Sequence, residues 1–599
     1  MRHGFPALDF GGNPIGCLQS LLPSHWSASP FSFLRFLIAV LGAGLLGVSS
    51  IGCRPEPRAD LIIHNGAEVE TIDPHVLTGL PDGRVTGAMF EGLTRYDPET
   101  GRAIPGLAHS WDISPDGRVY TFHLRTNAAF STGEPIRADD VVWSWQRAAD
   151  PVTAADYSGF FFYVQGGQEI VTGASTNLSG LGIRAVDPFT VEVRLVNPTP
   201  FLPDLCGMRI MAVVPRWAVE KYGDQWVRMN PLPCSGAYEL LSWRPNDRIR
   251  LRRNPHYWDA ANVGCERVDV LSGDSPAAAL NLYLAGDIDF LIDKVMIPPE
   301  LNDVLRKRPD FHTFQYLGTY FIRFNVTRKP FDDPRVRQAI SLVLDKRRIV
   351  ERITRLGELP TSALTPPGTG GYQPPPGLGH NAVLAPDATA YAAAMETNRT
   401  DAQRLLAEAG FPGGRGFPPF TYMFNAGGGG GSRMHENVGI ELQTALREEL
   451  GLQVELRPVE WKTYLSDMSR LNFDLIRGSW IGDYQDPTTF LDLFLADSGN
   501  NRTGWKNPRY DALLAAAAAE PDVSQRFDQL REAETLLVRD EVPILPVFNY
   551  VGLFAFDRTK WEGIYANLTD EHPFRSIRRR TGGTAPVRSA LSPTAAGTP

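Results

Sequence analysis

Asp483 is the residue of this 599-residue chain whose setting most constrains its chemistry. It follows the run Phe473-Asp-Leu-Ile-Arg-Gly-Ser-Trp-Ile481 and stands between Trp480 and Tyr484. The run is apolar, aromatic and short enough for a buried strand, and Asp483 to Pro487 has the composition of a turn. A carboxylate at the end of a buried strand, flanked by aromatic rings, is costly unless a cation meets it. That position asks for a cationic ligand. The competing role is a turn aspartate capping the helix that begins at Thr488.

Two other residues offer the opposite charge. Arg477 can take an anion or pair with a carboxylate inside the fold. His435 follows five glycines, Gly427–Gly431, and precedes a helix over Val438–Leu450, where backbone N–H groups can help bind an anion. Its alternative is a mobile surface histidine. Catalytic arrangements are missing by inspection. His435-Glu-Asn-Val-Gly439 has glycine where H-E-x-x-H needs its second histidine, and no G-x-S-x-G elbow or Walker A lysine occurs. Gly273-Asp-Ser-Pro276 lacks the glycines that follow a protease serine, and the 11 histidines are dispersed with no metal cluster. We therefore expect no enzyme, no metal and no cofactor.

The elements that must position these residues follow from periodicity. Leu61–Gly66 starts an edge strand, and Arg118–Arg125 alternates as a half-buried strand. A helix starts over Pro135–Asp140 and carries Trp143 and Trp145, and Val186–Leu195 holds a turn and another alternating strand. Gly236–Trp243 and Arg248–Arg253 read as a β-hairpin. Beyond Gly318, helices at Arg335–Arg352, Asp401–Ala409, Val438–Leu450 and Gln525–Val538 alternate with strands, which predicts an α/β domain with a mostly parallel sheet. Pro366–Ala394 reads as a surface excursion.

Length and composition bound the rest. A net charge of −9 argues against nucleic-acid binding. Residues 1–53 read as a lipoprotein signal: Arg35, an apolar run from Phe36 to Val48 too short to span a bilayer, and Ser50-Ile-Gly-Cys53. Lipid on Cys53 would hold the protein to a membrane, and the long leader before Arg35 places the start downstream of Met1; the alternative is a plain secretory signal. The remaining ~545 residues are too many for one core and predict two or three domains. Of five cysteines, Cys17 leaves with the leader; among Cys206, Cys234 and Cys265 the first disulfide to test is Cys206–Cys234, against three buried thiols. Residues 578–599, opening with Arg578-Arg-Arg580, read as a disordered tail.

The stretch from Glu460-Trp-Lys-Thr-Tyr464 to Leu491 resembles the peptide-binding segment of the oligopeptide-binding proteins, the extracytoplasmic receptors of peptide ABC importers. Also similar are Glu70-Thr-Ile-Asp-Pro-His75, Phe90-Glu-Gly-Leu93, Trp143-Ser-Trp-Gln146, Asn254-Pro-His-Tyr-Trp258 and Pro330-Phe-Asp-Asp-Pro-Arg-Val-Arg337, in family order across about Leu61 to Ile577. The resemblance implies a periplasmic-binding-protein-like α/β fold, two lobes built from three domains around a ligand cleft with a hinge. Residues 58–90, 221–317 and 551–577 would form the core of lobe 1, 91–220 its extra domain and 318–550 lobe 2. The chain would return to lobe 1 through Val551–Phe556.

In that family the Asp of Trp-x-x-Asp-Tyr pairs with the free amino group of a peptide, which implies that role for Asp483. Arg477 and His435 match positions that receive the peptide carboxylate, while two further cationic positions are Met468 and Thr354 here, with Arg470, Arg352 and Arg355 nearby. Trp461, Trp480, Tyr157, Gly79 and Leu80 match cleft positions, Tyr484 completes the motif, and Tyr550 lies close to a cleft tyrosine. Some relatives carry a cysteine pair at positions matching Gly318 and Ile481. The implied protein is monomeric, works in the periplasm or cell envelope, captures short peptides by main-chain pairing and end charges, and hands them to the permease. Alternatives within the fold are opines, murein peptides and nickel chelates; outside it, an exported peptide chaperone or sensor without transport.

Overall fold

The computed structural model describes residues 56–426 and 431–581. The signal segment with Cys17 and Cys53, Gly427–Gly430 of the glycine run, and the tail from residue 582 lie outside the described residues.

The main sheet contains β1 (Leu61–His64), β2 (Tyr238–Arg244), β3 (Arg248–Arg253), β4 (Arg267–Leu271), β5 (Phe290–Leu291), β6 (Phe311–Phe324), β7 (Phe420–Asn425), β8 (Val454–Val459), β9 (Leu475–Ile481) and β10 (Ile544–Phe556). Their order is β8-β7-β9-β6-β10-β5-β1-β4-β3-β2, with Leu359–Pro360 added on β10. The long strands β6 and β10 organise it. Both are nearly unbroken apolar and aromatic runs, buried along almost their whole length, as strands covered on both faces must be. Phe311–Gln315 pairs with Val551–Ala555 beside β5, and Thr319–Arg323 pairs with Ile544–Asn549 beside β9. Between Gln315 and Thr319 the register shifts. Two adjacent strands therefore cross from one half of the protein to the other.

Separate cores flank this crossing. One joins β1, β4 and β5 to Trp226, Tyr238, Trp561 and Ile577. A second fills residues 93–213, where Ala108–Ile113, Val119–Leu124, Thr190–Arg194 and Ile183–Asp187 form an antiparallel sheet under helix α1 (Ala138–Ala149). The other half packs helices α2 (Pro334–Val343), α3 (Ala388–Glu408) and α4 (Gly431–Leu450) on one sheet face. On the opposite face α5 (Trp461–Ser469) packs over Met423, Phe473 and Ile476, while α6 (Pro508–Ala519) and α7 (Val523–Thr535) cover Phe321 and Ile544.

The sequence motifs join these cores. Arg147 of α1 donates to both oxygens of Asp73 at 3.1 and 2.6 Å, and the Trp226 indole donates to Asp73 at 3.0 Å. Glu91 accepts from Tyr257 and, at 2.7 Å, from Trp258. Arg337 is fully buried and donates to the carbonyls of Phe331, Asp332, Glu541 and Val542.

Several expectations need correction. β1 is an interior strand, parallel to β4 on one side and β5 on the other, because all four of its residues are buried. The second-half sheet is parallel only between β7 and its neighbours; β6 runs antiparallel to β9 and β10, since β6 leaves one half and β10 returns to it. The segment 366–394 carries the helix His380–Val383 and the start of α3. Arg578–Arg579 pairs with Trp561–Glu562 and so belongs to the fold, not to the tail. Cys206, Cys234 and Cys265 are buried free thiols. Cys206 sits in the core of residues 93–213 and Cys234 in the neighbouring one, its thiol donating to the Tyr238 carbonyl at 3.1 Å, so Cys206–Cys234 is not a disulfide.

Candidate functional site

β9 delivers the candidate residues in order, and its alternation divides them between its two faces. Arg477 and Ser479 lie on the face of Ile322 and Tyr320, while Gly478 and Trp480 lie with Phe321 and Thr319. Asp483 follows the strand. Its backbone N–H donates to Thr489 Oγ1 at 3.0 Å, which leaves the carboxylate out of the helix start. The helix is capped by Asp486, which accepts from the Thr488 N–H at 3.1 Å and is held by Arg526 at 2.7 and 2.8 Å. The capping role weighed for Asp483 therefore belongs to Asp486.

Burial pushes the Asp483 carboxyl up to about 6, with no cation offsetting it. Among the described residues no lysine, arginine or histidine forms an ion pair with it. Lys294 sits 3.3 Å over the Tyr316 ring and 3.9 Å from Asp570, so its charge is engaged elsewhere. Tyr157 is close enough that burial first, then the Asp483 charge, raises its phenol. Its ring stacks on Phe160 at 5.9 Å.

Arg477 gathers the second group. Its Nη2 donates to Ser479 Oγ at 2.9 Å and to the Tyr550 hydroxyl at 3.4 Å, and its guanidinium stands 5.5 Å from the Tyr320 ring. Its Nε is buried without a partner, and no carboxylate among the described residues pairs with it, against an ion pair inside the fold. His435 is 5 % exposed, within α4 and not before it, with its ring 5.7 Å from Tyr320. Burial and then the Arg477 charge lower it to about 3, so it is neutral, and its Nδ1 has no partner. The mobile surface histidine is thereby replaced by a buried one.

Other expected residues scatter. Trp480 is half-buried with its indole N–H buried and unpartnered. Trp461 is exposed at the start of α5 and stacks on Tyr464 at 5.4 Å. Tyr484 is buried, stacked on Phe201 at 4.6 Å, with its hydroxyl shared between Tyr163 and Thr488. Its ring and hydroxyl are thus engaged by Phe201, Phe160, Tyr163 and Thr488 beside the Asp483 turn. Gly79 precedes the helix Leu80–Met89, where a Cβ would meet Asp82 Oδ2 at 2.3 Å, and Leu80 is exposed. Met468 and Thr354 are buried, Thr354 donating to Glu358 at 2.6 Å; Arg355 pairs with Asp303. Gly318 and Ile481 are cross-strand partners, so positions matching that cysteine pair do face each other. Tyr320 and Ser479 went unrecognised by sequence reasoning, although the alternation of β6 and β9 places both beside Arg477.

A match to the family described as bacterial extracellular solute-binding proteins, family 5 (middle), spans residues 102–502. The chain belongs to that family. Among relatives of this family 5 protein, the periplasmic oligopeptide-binding protein OppA of Salmonella typhimurium is 36% identical over 87% of this chain and 92% of its own. The unliganded open form of MppA, a periplasmic murein tripeptide-binding protein, superposes with a TM-score of 0.74 at 32% identity, covering 87% of this chain and 97% of that one. Haemophilus influenzae OppA in complex with the peptide RPPGFSPFR does so with a TM-score of 0.67 at 31% identity, covering 87% and 100%. No helix among the described residues of the family 5 protein is long and apolar enough to cross a membrane. No group of three or more metal-ligating side chains occurs among them either.

Proposed function

We propose that this protein captures short peptides outside the cytoplasm and delivers them to an ABC importer, performing no chemistry on them. The observation that carries this reading is Asp483, a desolvated carboxylate with no cation of its own. A peptide's ammonium supplies that cation. At the other end Arg477, with unpartnered Nε, and neutral His435 can receive the carboxylate by charge and hydrogen bond. From Arg477 to the end of β9 at Ile481 the strand spans about 13 Å at ~3.3 Å per residue, and Asp483 lies two residues beyond it. Exposed Trp461 and half-buried Trp480 provide apolar walls, and Tyr157 a polar tip at the amino end.

The lobes we assign are 58–90, 221–317 and 551–577 with 91–220, and 318–550. The separate cores and the β6–β10 crossing support this division, and bending at the Gln315–Thr319 register shift would close the cleft. Likeness to the murein tripeptide-binding protein supports a second reading, a murein peptide in the same cleft.

Calorimetry with free and N-acetylated forms of one peptide tests the amino-end assignment. Acetylation is expected to weaken binding at least a hundredfold, since it removes the charge Asp483 awaits; equal affinity would refute it. Lipid on Cys53 is the second part of the proposal. Cys53→Ala is expected to move the protein from the membrane to the soluble fraction, and persistent membrane association would count against the anchor.

A further inference from the structure

The half of the protein that contains Asp483 holds two arginines whose polar contacts include a sulfur in place of a carboxylate. Arg323 on β6 is 5 % exposed, yet the polar contact of its Nη1 is the Met468 sulfur at 3.7 Å, and its Nε has no partner. Arg502 approaches the same sulfur at 3.9 Å, and its Nε is also buried and unpartnered. Its loop is fixed against the end of β6, where the Val326 N–H donates to the Thr503 carbonyl at 3.0 Å. A thioether is a weak acceptor and cannot balance two guanidinium charges. No carboxylate among the described residues forms an ion pair with either arginine. Space is kept for them: a Cβ at Gly478 would stand 2.6 Å from Arg323 Nη1.

Their place relative to the cleft follows from the strands. Arg323 faces Ile476 across β6 and β9 and lies over Gly478, two residues before Trp480 on the same face. Met468 lies on α5 two helical turns after Trp461, on the side turned to Met423 and Ile476. Trp461 thus shares a helix with Met468, and Trp480 shares a strand face with the residues opposite Arg323. Like charges held together without an anion, with Arg323 buried and Arg502 half-buried, are unfavourable for folding, and a ligand that brings the anion relieves them.

We propose that Arg323 and Arg502 form a carboxylate-binding subsite, distinct from Arg477 and His435, which selects ligands carrying an additional acidic group. The proposal rests on the peptide reading of the cleft for its position, not for its chemistry. The carboxylate comes either from an acidic side chain of the bound peptide or from a free small acid.

Titration calorimetry with peptide pairs that differ only by Glu against Gln at one position separates the sources. Wild type is expected to prefer Glu at one position by roughly tenfold or more, as a charge-assisted pair requires, and Arg323→Met is expected to erase the preference. A second arm uses no peptide. Sodium acetate, compared with sodium chloride at equal ionic strength, is expected to raise the melting midpoint of wild type but not of Arg323→Met. Acetate stabilisation without a Glu preference assigns the site to a free carboxylate. Absence of both effects overturns the proposal. Arg323→Met without added acid is expected to melt higher than wild type, because it removes an uncompensated charge; a lower midpoint marks a structural arginine and also overturns it. Failure of every peptide to bind would instead refute the peptide reading while leaving the acetate arm to decide this one.

Discussion

Asp483→Ala is expected to weaken the binding of a free-amine peptide by about 2–5 kcal/mol, some thirtyfold to several thousandfold, measured by calorimetry at pH 7.5. The loss follows from leaving a peptide ammonium in a desolvated turn without its counter-charge. An affinity within threefold of wild type would remove Asp483 from the site. The same residue fixes the pH dependence. Its carboxyl stands near pH 6 in the ligand-free protein, so affinity should be level above that value and fall as pH drops through it, by up to tenfold per unit. Stability of the ligand-free protein moves the other way. A folded-state value raised above the unfolded one gives a contribution fully present below about pH 4 and lost as pH rises through 6. Asp483→Asn should flatten both profiles, and it should make the ligand-free protein more stable than wild type at pH 8.

Arg526→Met is expected to cost about 3–5 kcal/mol of stability in urea unfolding at pH 7.5. The side chains of Arg526 and Asp486 are 2 % and 7 % exposed and meet through two hydrogen bonds of 2.7 and 2.8 Å. Asp492 is close by, and burial, followed by the Asp486 charge, lifts it to about 7. Removing the guanidinium leaves this acidic cluster without its cation, directly behind the Asp483 turn. Adding Asp486→Asn should recover part of the loss, because one of the stranded charges is then absent. An unchanged urea midpoint in Arg526→Met would show that the pair does not hold the turn.

The sequence was most legible where physical demands were local. Asp483 could be recognised from its strand and its aromatic flanks, and the hairpin of β2 and β3 from alternation around Arg244–Asp247. Two aspartates of the same chemistry, Asp483 and Asp486, stand before the helix at Thr488, and the Thr488 contacts assign its start to Asp486. Tyr484 stacks on Phe201, which comes from another part of the chain, 283 positions earlier, and no local pattern announces that contact. The alternative of a mobile His435 rested on the glycines before it, whereas α4 begins at the last of them, Gly431, and the histidine is buried. The arginines around Met468 escaped for a related reason. Arg323 sits in Thr-Tyr-Phe-Ile-Arg-Phe, and a charge inside so apolar a strand was the signal that could have found it.

The position of β10 has a consequence for the order of events during synthesis. Val551–Phe556 lies between β6 and β5, and Trp561, Phe574 and Ile577 complete the core that β1 begins. The first strand to emerge from the ribosome thus waits for nearly the last. Until then the half containing β1 lacks a central neighbour and its aromatic filling, while residues 93–213 have a core of their own and can fold earlier. Until that closing strand is made, the half containing β1 stays open, so the order of synthesis sets the order in which the two parts can fold.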